Sequence, residues 1–117
     1  MNAPGLQRSI LELATEDFVG LWETLPVARE ICQCLAEREL RARVSMALLH
    51  LMQEGLVEFF AGAHFSGEQA PLSPEAVERE LSDPRNWDAQ LPPTERHLRF
   101  VATELGRDRY FGRRKVE

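Results

Sequence analysis

The chain has 117 residues, 44% of them apolar and 28% charged, and its 14 basic and 19 acidic side chains give a net charge of −5. That is room for one domain with a single core, and it excludes a disordered or fibrous chain. The acidic balance also argues against indiscriminate polyanion binding, whose affinity comes mainly from neutralising phosphates.

In chain order, Ser9 is expected to cap a first helix, with Glu12 three residues later completing a capping box. Leu11, Ala14, Phe18, Leu21, Trp22 and Leu25 recur mostly at steps of three and four and give that helix one apolar stripe. Pro26 is unsuited to a helix interior but acceptable in a first turn, so Thr24–Pro26 reads as a break opening a second helix. Val27, Ala28, Ile31, Cys32 and Leu35 supply its buried side. A third helix follows across Leu40, Val44, Ala47, Leu48 and Leu51, and Gly55 suits the left-handed position just past its end. No breaker stands at Ala36–Glu39, so one helix from Val27 to Glu54 is the alternative; two are preferred, because so long a helix without caps is unusual in a small domain.

After Gly55 the period changes from three-and-four to two. Leu56–Ala61 is a short apolar run that favours a strand. Arg96–Ala102 alternates, with Leu98, Phe100 and Ala102 on one side and His97 and Arg99 on the other, as a half-buried strand does. Thr103 then caps a short last helix through Tyr110. Residues 62–95 between the strands are too long for a hairpin turn. Within them Ser73-Pro74-Glu75 signals an N-cap with proline in the first turn, and Ala76, Val77 and Leu81 give that short helix an apolar side. Asp83-Pro84 and Leu91-Pro92-Pro93 mark loop on either side of Trp87, whose indole is expected to pin the excursion to the body. Phe59 and Phe60 are consecutive and so face opposite sides of a strand; the insertion is expected to cover the outward ring.

No stretch is long and apolar enough for a membrane span, and Met1–Gly5 lacks the basic start and apolar run of a signal peptide. With Cys32 and Cys34 too close for a disulfide framework, a reducing cytoplasm is the expected location. The Cys-x-Cys pair turns its thiols roughly 200° apart on a helix, so no metal site is expected, and nothing in the chain calls for a cofactor. There is no Gly-rich phosphate loop, nucleophile elbow or His-Glu-x-x-His, and His50, His64 and the Glu16-Asp17 pair stand without catalytic companions. The expected protein is not an enzyme.

The run from Ala47 to Glu58 (a leucine-rich helix end, a polar pair, then Gly-Leu-Val) resembles the passage from third helix to first wing strand in the winged helix-turn-helix superfamily. Leu98–Arg107 is similar to the stretch in PadR- and MarR-like regulators where the second wing strand ends in a threonine cap. The resemblance covers roughly Leu11–Ala61 and Arg96–Tyr110. It implies an α+β fold: a three-helix bundle with a two-stranded antiparallel wing, a short helix inserted in the wing, and a short C-terminal helix. Residues 1–117 then form one domain, with 62–95 as an insertion longer than the usual tight wing.

The resemblance further implies a DNA-binding transcriptional regulator, working as a homodimer on double-stranded DNA. Arg38, Arg41, Arg43 and Ser45 on the third helix are then the candidates for groove contacts, and Arg96, His97 and Arg99 on the wing for flanking phosphates. Glu37–Arg41 and Glu39–Arg43 are also favourable i,i+4 pairs, worth about 0.2–0.5 kcal/mol each, so the same arginines suit a solvated helix. Charge divides unevenly: seven arginines and sixteen acids up to Glu95, then seven basic residues and three acids. An acidic body with a long insertion suits the alternative, a winged-helix-like adaptor that binds another protein through residues 62–95.

Overall fold

The computed structural model describes residues 3–33, 35–62, 70–88 and 97–112. Among these, five α-helices and three antiparallel strands form an α+β fold in the order α1 (Ala3–Ala14), β1 (Val19–Gly20), α2 (Thr24–Ile31), α3 (Glu37–Gln53), β2 (Val57–Gly62), α4 (Pro74–Leu81), β3 (His97–Ala102) and α5 (Glu104–Tyr110). Short 3-10 turns precede α2 (Leu21–Glu23) and follow α4 (Pro84–Trp87).

The first helix departs from expectation at both ends. Ser9 lies inside α1 and does not cap it. Leu6 and Ile10 are 2% and 0% exposed, and burying them beside Leu11 and Ala14 carries the helix toward the N-terminus past the capping pattern. At the other end α1 stops at Ala14, where the Thr15 hydroxyl donates to the Glu12 carbonyl at 2.7 Å. The apolar residues beyond it turn out to serve other elements. Val19 and Gly20 pair with Phe100 and Arg99 as a third strand, so the sheet has the order β1-β3-β2 rather than two strands. Gly20 then enters the 3-10 turn, its amide donating to the Glu23 carboxylate at 2.9 Å. A side chain at Gly20 would press on the Trp22 indole, 2.8 Å from where a Cβ would stand.

Helices α2 and α3 are separate. Helix α3 buries Leu40, Val44, Ala47, Leu48 and Leu51 against α1 and α2. It ends as the sequence suggests: Gly55 has φ +77°, its amide bonds the Met52 carbonyl, and the Leu56 amide bonds the Leu51 carbonyl, both at 2.9 Å. Those two bonds satisfy carbonyls that would otherwise be left open at the helix end.

Strands β2 and β3 pair in antiparallel register, Phe59 opposite Phe100 and Phe60 opposite Arg99. The inward side carries Val57, Phe59, Leu98, Phe100 and Ala102, all buried, with the two phenylalanine rings 5.6 Å apart. Outward, Phe60 is half-buried and meets the Phe18 ring edge-on at 5.7 Å, so the segment before β1 contributes cover that was expected from the insertion.

The insertion is part of the core. Ser73 caps α4 by accepting the Ala76 amide, and Val77 and Leu81 bury against the body. Trp87 is 4% exposed and donates its indole N–H to the Leu81 carbonyl at 3.0 Å. Asn86 is 3% exposed; its oxygen accepts the Leu98 amide at 3.0 Å, and its Nδ2 donates to the Glu80 carbonyl at 2.8 Å. The side chain thus takes up a β3 amide just past the end of β1. Leu91-Pro92-Pro93, Cys34 and His64 lie outside the described residues. No helix among the described residues is long and apolar enough to cross a membrane.

Candidate functional site

Helix α3 is the element on which the sequence places most candidate contacts, and its inward side is settled by the core. At 100° per residue the opposite side is centred on Ala42, Met46, Leu49 and Gln53, with Arg38 and Ser45 along one edge and Glu39 and His50 along the other. Ala42 is exposed, Leu49 is half-buried, and Met46 is 71% exposed. Leu49 packs against the core, so Ala42 and Met46 are the apolar residues exposed on this side, where a helix serving only its own core keeps polar groups.

The candidate arginines do not converge. Arg38 is exposed and makes no ion pair or hydrogen bond among the described residues. Arg41 is drawn back onto the scaffold: its Nη2 donates to Glu37 at 2.7 Å, and its guanidinium carbon lies 5.8 Å from the centre of the Trp87 ring. Its Nε is buried without a hydrogen-bond partner. Glu37 also receives Arg29 from α2 at 3.3 Å, so two cations share one carboxylate. Arg43 is half-buried and lies roughly 200° round the helix from Arg41, too far for both to address one groove. Ser45 is half-buried.

On the sheet, Arg99 is half-buried on the outward side, between Gly20 of β1 and Phe60 of β2. His97 opens β3 opposite Gly62. Arg96 lies outside the described residues, so the expected wing trio is placed only in part. Among the described residues no three His, Cys, Asp or Glu side chains gather as a metal site would require. Cys32 is a buried free thiol.

Of the residues on this side, Met46 is the one sequence reasoning passed over. Its signal was present: it falls four residues after Ala42 and three before Leu49, out of phase with the core stripe. No family model, no curated protein and no solved structure matches the chain.

Proposed function

We propose that the chain is a non-enzymatic binding module of winged-helix type that docks a protein partner on the outward side of α3. The winged-helix part rests on element order: helix, strand, two helices, then two strands, with the first strand joining the sheet beside the last. The partner part rests on one observation, the exposure of Met46 at 71% between Ala42 and Leu49 while Arg41 is held on Glu37 and Trp87. Exposed apolar groups ringed by polar ones mark contact surfaces, and a flexible thioether adapts to an apolar anchor. Sixteen acids against seven arginines up to Glu95 favour a partner with a basic rim, since complementary charge speeds encounter. The insertion borders this surface, because α4 packs on α3.

A second reading, the regulator that binds duplex DNA as a homodimer, is favoured by Arg38 and Ser45, which share one edge of the outward side. Arg38 has no partner among the described residues.

The two readings separate in paired experiments with the full chain. Affinity capture from source cells is compared for wild type and Met46→Asp, and fluorescence anisotropy follows binding to random-sequence duplex at low and moderate salt. A partner retained by wild type and lost by Met46→Asp, with anisotropy flat at both salts, supports protein docking. Duplex binding that weakens with salt, and whose salt slope falls in Arg38→Ala, replaces it with the DNA reading.

A further inference from the structure

At the end of α3 away from Arg38, helices α1, α3 and α5 line an open cleft of about 210 Å³. Its floor is aliphatic: Leu11, Leu51 and Leu56, none more than 4% exposed. Its walls carry charge from all three helices. Glu54, at the end of α3, is already engaged by His50 at 3.2 Å and by Arg109 of α5 at 3.7 Å. Arg8 on α1 is not. Its guanidinium carbon lies 4.7 Å from the centre of the Tyr110 ring, and it makes no hydrogen bond or ion pair among the described residues. The cleft therefore combines an aliphatic floor with one positioned cation whose N–H groups bond none of the described residues, while Glu12, one turn along α1, lies beside the ring beneath it.

The Tyr110 ring under Arg8 carries no charge at neutral pH. Partial burial, then the neighbouring Glu12 carboxylate, raises the phenol above its ordinary value. The ring stays neutral and acts as a platform for the guanidinium, which leaves its N–H fork free for an anion. Few convergent polar groups over an apolar floor is the usual composition of a small-molecule site.

We propose that this cleft binds a small aliphatic monocarboxylate, its chain on the leucine floor and its carboxylate on Arg8. A cavity of about 150 Å³ holds a benzene molecule, so the space here suits an acid of roughly five to eight carbons. An alkyl body is preferred to a flat one because the floor is leucine and the one aromatic face is occupied by Arg8. The site needs no protein or nucleic-acid partner, so its fate is independent of the function proposed for α3.

The test titrates the full chain with hexanoate, hexan-1-ol and hexylamine, read by amide chemical shifts and calorimetry. Hexanoate is expected to bind saturably, with shifts centred on residues 7–11, 51–56 and 105–110, about tenfold tighter than hexanol, and hexylamine weakest. Arg8→Gln, a substitution on the exposed side of α1, is expected to remove the preference for hexanoate over hexanol while leaving amide shifts away from residues 7–11, 51–56 and 105–110 unchanged. Absence of saturable binding, equal affinity for acid and alcohol in wild type, or an acid preference that survives in Arg8→Gln overturns the proposal.

Discussion

The Thr103 hydroxyl donates to the Gly55 carbonyl at 2.7 Å and accepts the Gly106 amide at 3.0 Å, so one side chain joins the end of α3 to the start of α5. The Thr103 amide adds a bond to the Leu56 carbonyl at 3.0 Å. Thr103→Val keeps the shape and removes both hydroxyl bonds. The expected loss is about 1–2 kcal/mol, the usual worth of an N-cap with one further hydrogen bond, and Thr103→Ser restores most of it. Urea denaturation with an unchanged slope checks both values.

Gly106 tests the same junction by its lack of a side chain. A Cβ there would collide with the Leu56 carbonyl, which is backbone and has no rotamer to yield. Helix propensity alone favours alanine over glycine by about 1 kcal/mol. Gly106→Ala is nevertheless expected to destabilise, because relief requires α5 to move off Leu56, the residue before β2. A raised melting temperature would show that the close approach is absent.

Tyr110 is the chain's one tyrosine, so ultraviolet absorbance during alkaline titration reports it without deconvolution. Its phenol titrates above the ordinary value of 10.0, through partial burial first and Glu12 second. The folded state thus holds this proton more tightly than the unfolded chain does. The associated stability is complete below the unfolded value and is lost as pH rises through the folded one. Glu12→Gln is expected to bring the midpoint down toward 10.

What could be read from the sequence were the junctions fixed by local chemistry. Gly55 ends α3 because its φ of +77° suits glycine, and Ser73 and Thr103 cap helices by bonds to amides three residues on. Strand β1 was hidden for the opposite reason. Phe18, Leu21, Trp22 and Leu25 keep helical spacing, while Val19 and Gly20 are held by Phe100 and Arg99, far along the chain. Ser9 failed as a cap because the core lies further toward the N-terminus than its pattern suggests. The candidate site divides in the same way. Spacing locates the outward side of α3, but what becomes of Arg41 depends on Trp87, which no local pattern relates to it.

Asn86 shows how firmly the insertion is built in. Replacing it with alanine leaves the buried Leu98 amide without its acceptor, which costs about 1–3 kcal/mol. Hydrogen exchange at Leu98 is expected to accelerate more than at Phe100, whose neighbours on both β1 and β2 are unaffected. Equal acceleration along the whole of β3 would instead mean that Asn86 acts through global stability alone.

Arg38 and Arg41 lie three residues apart on α3, yet the structure assigns them different work. Arg41 bonds Glu37 and covers Trp87, and with a side chain about one-third exposed its ion pair is screened by water. Arg41→Ala is expected to lower stability by about 0.5–1.5 kcal/mol, mainly through lost packing on the indole, and to shift Trp87 fluorescence. Arg38→Ala is expected to stay within about 0.5 kcal/mol of wild type, because nothing among the described residues holds that side chain. Equal destabilisation by the two would remove the distinction between scaffold and surface on which the proposed binding face of α3 is drawn. Unequal stability would mean that only effects of Arg38→Ala on binding can be read as contacts, while those of Arg41→Ala must first be corrected for folding.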